Sequence, residues 1–221
     1  LNVQSERIDA KGVPTQNYSM VALQRKVFAR SNLGAYMVNK QSFIDTDLQR
    51  SNGFQSFNRD VGLEYNLASA DNFWTGSVFY ANTISPLQKD QSFSQAASLA
   101  YKDNDWTFSV KESWVGENYN PETGYVPRVN YVQTQFDAAK NFYPKNKSTN
   151  VFYTTLSAMT MSYWNNQGTF TDNTSYVAYE GTMKDRATFG TYLSYDYVKL
   201  LYDFDATRMG NTALKKGTEH D

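Results

Sequence analysis

The chain has 221 residues and a formal charge of −1, which leaves no basic surplus to hold nucleic acid and no acidic tail. Cysteine is absent, which excludes disulfide frameworks, thiolate zinc sites and cysteine nucleophiles, and the one histidine, His220, leaves a histidine-based triad or histidine-rich metal site almost nothing to work with. Hydrophobic residues make up 40% and mean hydropathy is −0.63, values that exclude a helical span of about 20 apolar residues. A transmembrane barrel passes that test, because every second residue of its strands faces a polar lumen. Tyr 17, Phe 14 and Trp 4 make 16% of the chain aromatic, the amphipathic stock of interfacial girdles. An aromatic-rich soluble β-sandwich fits the same composition.

The expected elements begin with a partial strand at Leu1–Ile8, a polar segment at Asp9–Gln16, and a hairpin that turns at Ala29–Asn32. A longer polar stretch, Ile44–Gln55, follows. From Phe57 to Leu67 the period is two: Phe57, Val61, Leu63, Tyr65 and Leu67 lie on one face, interrupted by Arg59. Asn58, Asp60, Gly62, Glu64 and Asn66 lie on the other, as a strand between an apolar and a wet side requires. The chain then turns at Ser69–Asn72, carries a longer link at Ser85–Ser94 and turns again at Asp103–Asp105.

Trp106, Phe108 and Val110 alternate with Thr107, Ser109 and Lys111. Glu112 falls on their apolar side, which places it near an interface or at a bulge. After the segment Glu117–Val129 and a proline-containing link at Tyr143–Ser148, a long strand is expected from about Thr149 to Trp164, with Val151, Tyr153, Met159, Met161 and Tyr163 sharing one parity. A further polar link at Asn165–Asn173 and a turn at Lys184–Arg186 precede the alternation of Ala187, Phe189, Leu193, Tyr195 and Tyr197. The final Lys215–Asp221 stretch reads as loop.

Short and long connections therefore alternate, as tight periplasmic turns and longer extracellular loops do in an outer-membrane barrel. A Greek-key sandwich has no reason to alternate so strictly. Several strands run to roughly ten residues, longer than the usual five or six of soluble sheets. The expectation is an all-β, antiparallel, up-and-down transmembrane barrel with about eleven strands visible, taken as one segment (residues 1–221) of a larger, even-numbered barrel in a longer protein. Leu1 is then periplasmic, the first strand runs outward, and Asn118–Arg128 lies outside the cell.

The segment Gly116-Glu117-Asn118-Tyr119-Asn120-Pro121-Glu122-Thr123-Gly124-Tyr125-Val126-Pro127-Arg128 resembles a Phe-Asn-Pro-Glu-x-Gly-Phe-x-x-Arg signature. That signature belongs to a Bacteroidota barrel family of unknown function, in which a carbohydrate-binding family 9-like domain precedes the barrel. Asn17–Val27 with Arg30-Ser31-Asn32-Leu33-Gly34 is similar to the family's Arg-Asp-Val…Ser-x-Ile-Gly hairpin, and Asn58-Arg59-Asp60-Val61-Gly62 to its Asn-Arg-x-x-Gly strand start. Tyr119 and Tyr125 replace the two phenylalanines, Lys26 stands where the family often has Asp, and beyond about residue 140 the likeness is generic strand patterning. The resemblance implies a C-terminal barrel in the bacterial outer membrane and no established activity.

Candidate residues fall in two places. Pro121, Pro127 and Gly124 stiffen the Asn118–Arg128 loop, and Glu117, Glu122 and Arg128 have the charges to pair within it. It reads either as a rigid loop folded over or into the barrel mouth, or as a ligand-contacting loop of Tyr119, Asn120, Glu122, Tyr125 and Arg128, with the two tyrosines as platforms for a sugar. Asn58, Asp60, Glu64 and Asn66 are expected to line a polar lumen. Asp60 and Glu64 are too widely spaced on one strand for the roughly 5–9.5 Å of a glycosidase pair, so no catalytic role is expected. Asp45-Thr46-Asp47 lacks the remainder of a calcium loop.

No metal, cofactor, nucleic acid or enzymatic activity is expected. The expected partners are outer-membrane lipid, a glycan and other envelope proteins. The expected role is membrane anchor or transport component linked to glycan uptake; the alternative is a soluble cell-surface β-sandwich for carbohydrate binding or glycoside hydrolysis.

Overall fold

A computed structural model describes residues 1–87, 89–146, 148–205 and 214–220. Gln88 and Lys147, which fall in two of the expected connections, lie outside the described residues, as do Asp221 and the His220 side chain. The strands are β1 (Asn2–Ser5), β2 (Thr15–Val27), β3 (Ser31–Phe43), β4 (Phe57–Ala68), β5 (Trp74–Ile84) and β6 (Phe93–Lys102). They continue as β7 (Trp106–Val115), β8 (Tyr131–Phe142), β9 (Val151–Trp164), β10 (Phe170–Met183), β11 (Thr188–Lys199) and β12 (Glu219–His220). One antiparallel, up-and-down sheet takes them in sequence order from β1 to β12, and these two ends do not pair with each other among the described residues. The all-β, up-and-down expectation holds at this level. Every strand from β2 to β11 has ten residues or more.

The chain forms two compact units. The first comprises Leu1–Ala70, Gly76–Ala97 and Ser113–Tyr131; the second comprises Asp71–Thr75, Ser98–Glu112 and Val132–Asp221. In the first, the register pairs Tyr36 with Gly62, Val38 with Asp60 and Lys40 with Asn58, so Asn58, Asp60, Glu64 and Asn66 share one face of β4. Their neighbours on the other face, Val61 and Leu63, pair with Met37 and Ala35, which in turn pair with Val21 and Leu23. That second face is the exposed one: Val21 is 62% accessible, Leu23 72% and Leu63 59%, while Asn58 and Asp60 are buried. Arg59, the interruption in the apolar pattern, lies on the exposed face with its guanidinium 4.5 Å from the Phe57 ring and its Nε–H donating to Asn39 Oδ1.

The second unit repeats the division. Gln133, Gln135 and Asp137 of β8 pair with Tyr163, Met161 and Met159 of β9, while Phe136, Ala138 and Lys140 pair with Thr160, Ala158 and Leu156. The register assigns the two faces of β9, whose shared parity the sequence already shows. Tyr153, Met159, Met161 and Tyr163 share the face of the polar residues, and Phe152, Leu156 and Ala158 form the exposed apolar face. Period two identifies two faces; only the partner strand says which is which.

Three expected connections also change. β10 begins at Phe170, so the link after β9 shrinks to residues 165–169, shorter than the 143–150 link before it, and the alternation of short and long fails there. Glu219 and His220 pair with Lys199 and Val198, so the last residues read as loop include a short strand, tied by the Lys199 Nζ–Glu219 ion pair at 2.6 Å. Asp45-Thr46-Asp47 caps a helix, α1 (Asp47–Ser51). Thr46 Oγ1 accepts from the Gln49 backbone N–H and Gln49 Oε1 accepts from Thr46 N–H, a capping box with the T-x-x-Q spacing.

Candidate functional site

The residues 116–130 leave β7, cross the polar face of β3 and β4, and return to β8, all within the first unit. Three contacts hold them there. Asn58 sits on the polar face and is 3% accessible; its Nδ2 donates to the Asn120 carbonyl at 3.0 Å and its Oδ1 accepts from Glu122 N–H at 3.2 Å. One carboxamide thus satisfies two loop backbone groups, as a paired strand would. Lys40, Asn58's partner in register, donates to Glu122 Oε2 at 2.6 Å, with side chains 14% and 23% accessible. Beside it, Asp60 Oδ2 accepts from the Tyr36 hydroxyl at 2.7 Å.

Tyr119 forms the third contact. It is 8% accessible and packs with Ala81 and Val115, against Tyr36, Phe79, Val126 and Tyr131. Burial, then the adjacent Asp60 charge, pushes its phenol well above the usual range. Tyr36 reaches Asp60 because its cross-strand neighbour is Gly62: a Cβ there would lie 2.2 Å from Tyr36 Cε1. Phe79 stacks on the other side of the ring, centroids 6.4 Å apart.

Two cavities border the loop. One of about 600 Å3 is bordered by Asn58, Thr83, Glu117, Asn118 and Tyr125, the other of about 390 Å3 by Tyr36, Asp60, Tyr125, Arg128 and Tyr131. Tyr125 projects between them, 89% accessible. The Arg128 guanidinium lies 5.7 Å from the Tyr131 ring centroid.

The structure sorts the candidates. Tyr119, Asn120 and Glu122 are engaged in anchoring the loop, and Tyr119 has no open ring face for a sugar, so only Tyr125 of the two tyrosines is free to stack. Glu122 pairs with Lys40 and not with Arg128. Asn58 and Asp60 support the loop, whereas Asn66 donates to Asn32 and Glu64 lies over Gly34, away from it. Sequence reasoning missed Tyr36 and Lys40, because neither belongs to a motif. The signal that finds them is their register opposite Gly62 and Asn58. No group of acidic and histidine side chains able to hold a metal occurs among the described residues.

A family model with the description Domain of unknown function (DUF5916) matches residues 2–220. The chain belongs to that family. The DUF5916 match runs through the second half as well, where the sequence alone showed only strand patterning. No curated protein and no solved structure matches this DUF5916 chain.

Proposed function

We propose that this segment is membrane-spanning wall of a bacterial outer-membrane β-barrel, with the 116–130 loop folded against its polar side as a constriction. The observation that carries this reading is the inverted distribution of polarity. Among the described residues the buried hydrophobics are Ala81, Val115 and Tyr119, while Gln16, Ser31, Ser42, Gln49, Asn58, Asp60, Thr83, Ser92 and Thr171 are buried polar groups. Val21, Leu23, Leu63, Val78, Phe136, Val177 and Leu193 stand exposed. Each forgoes about 1.5–3 kcal/mol that burial supplies to a side chain of this size, a cost that an acyl-chain solvent removes.

Dimensions and aromatics support the same reading. Ten residues at about 3.3 Å each, tilted by roughly 40–45°, cover the ~25 Å of an outer-membrane apolar band. Trp74 and Trp106 open β5 and β7, Trp164 closes β9, and Trp114 is next to the end of β7. All four tryptophans thus stand where strands meet the interface. The tight turns then face the periplasm and the 116–130 loop the exterior. The role is anchor or transport component of a larger envelope protein; its link to a glycan rests on the resemblance in the loop signature and on the open ring of Tyr125.

The test is extraction. The full-length protein is expected to stay with the membrane pellet in high salt and in carbonate, and to need detergent for release. Release by buffer alone sinks the membrane reading and favours a soluble sheet.

A further inference from the structure

The exposed face of the second unit is not uniform. Cross-strand register stacks three rungs on it: Phe136–Thr160–Ser175–Tyr195, then Ala138–Ala158–Val177–Leu193, then Lys140–Leu156–Tyr179–Thr191. The middle of the first two rungs is small. Ala138 and Ala158 carry only methyl groups, and Thr160 Oγ1 and Ser175 Oγ satisfy each other at 2.9 Å. Phe108, Val110 and Phe136 rise on one side and Leu193 and Tyr195 on the other, leaving an open apolar furrow of about 1170 Å3. Pockets for drug-sized ligands are roughly 300–1,000 Å3, so this open furrow suits a longer, flexible apolar body.

Among the described residues, the cation Lys140 stands near one end. Lys140 is on the third rung, two residues along β8 from the furrow floor. Its Nζ lies 4.4 Å from the Trp106 ring centroid and 5.3 Å from that of Phe142. Trp106 in turn stacks on Phe108, a furrow wall, with centroids 5.2 Å apart. Among the described residues Lys140 forms no ion pair with a carboxylate. The rings hold its stem at the edge of the apolar surface and leave ammonium protons for an anion.

We propose that this furrow is a binding site for one anionic glycerophospholipid, its acyl chains laid over Ala138 and Ala158 and its phosphate at Lys140. An apolar trough with one unpaired cation at its rim has the charge layout of an amphiphile. The proposal rests on the membrane reading above and goes beyond it, since a general solvent annulus needs neither furrow nor cation.

Photolabelling in bilayers tests it. The full-length protein is placed in phosphatidylcholine vesicles doped with phosphatidylglycerol carrying a diazirine in one acyl chain, and labelled peptides are mapped. Labelling is expected to concentrate on peptides carrying Ala138, Ala158 and Leu193 over those carrying Val21, Leu23 and Leu63. Diazirine phosphatidylcholine is expected to label the furrow roughly fivefold less, the ratio one lysine near an anionic headgroup supplies. Lys140→Gln should abolish that ratio, Lys140→Arg should keep it, and Ala158→Leu should lower furrow labelling by both lipids.

Even labelling of all exposed apolar strands overturns the site while leaving the membrane reading intact. A furrow preference that Lys140→Gln leaves unchanged overturns the phosphate assignment. A protein that does not float with the vesicles and is not labelled overturns the site together with the membrane reading.

Discussion

The two units are built from the same kind of strand, and they differ in what covers the polar face. In the first, the 116–130 loop brings Tyr119 onto Ala81 and Val115 and engages Asn58 and Lys40, so the polar face carries a small core. In the second, polar side chains on that face pair with one another: Ser109 Oγ donates to Asp137 Oδ2 at 2.7 Å, and Gln135 Nε2 to the same carboxylate at 3.0 Å. No loop of comparable length lies between β8 and β11. β11 is exposed along both faces, with Tyr192 at 75% and Leu193 at 78%. The strand pattern therefore specifies a wall, and a loop converts part of that wall into a packed region.

The contrast breaks most sharply at Asn58. Asn58→Ala strips the partner from the Asn120 carbonyl and the Glu122 amide together, at about 0.5–1.5 kcal/mol for each part-buried hydrogen bond lost. Protease cleavage within residues 116–130 of the membrane-embedded protein should rise strongly, while cleavage in the second unit stays as in the wild type. Unchanged resistance of the loop would show that Tyr119 packing and the Lys40–Glu122 pair hold it without Asn58.

A smaller effect is expected at two glycines that share one device. Gly62 lies under Tyr36 and Gly181 under Phe189, its register partner, each with ring atoms 2.2 Å from where a Cβ would sit. Tyr36 is held by Asp60 and Phe79, whereas Phe189 is 45% accessible and has room to swing. Gly62→Ala should cost about 1–3 kcal/mol as an overpacked site, and Gly181→Ala under about 1 kcal/mol. Thermal unfolding in detergent reads both, and equal losses would mean that the two regions are equally rigid.

The smallest effect belongs to Asp103, in the β6–β7 turn. The Tyr101 hydroxyl, donating at 2.7 Å, and then the Trp106 and Asp105 backbone N–H groups hold its carboxyl below the usual carboxylate range. A depressed folded pKa contributes stability above the unfolded value near pH 4, and loses it as pH falls through the lower folded value. Asp103→Asn should therefore lower the melting temperature slightly at pH 6, and the difference should shrink as the pH falls below the ordinary carboxylate range. A difference independent of pH would point to lost geometry and not lost charge. Glu122, which meets Lys40 through its side chain, lies in the other unit and should not respond to this substitution.

Much of the fold was legible in the sequence because strand faces depend on residue parity, which a linear string preserves. Phe57 to Leu67 shows the two faces directly, and Asp103–Asp105 is read as a turn because a short acidic side chain can bond the backbone two residues on, as Asp103 Oδ1 does with Asp105 N–H. Parity carries no sign, however, so it does not say which face of β9 is the exposed one; methionine and tyrosine are apolar enough for one side and adaptable enough for the other. The stiff loop at 116–130 was equally visible from Pro121, Gly124 and Pro127, whose backbone restrictions are local.

What the loop touches was decided only in three dimensions. Tyr36 and Lys40 lie far from it in sequence, in no motif, and meet it because β3 and β4 pair in one register that sets Gly62 opposite Tyr36 and Asn58 opposite Lys40. A shift of β4 by one residue would turn Asn58 and Gly62 to the apolar side, away from Lys40 and Tyr36. The sequence by itself determined the strands, most of their turns and a rigid loop, since each follows from local backbone preference and period two. The tertiary structure alone decided which tyrosine is buried and which is open, and where small residues from β8, β9 and β10 align into a furrow, because both depend on the register between strands.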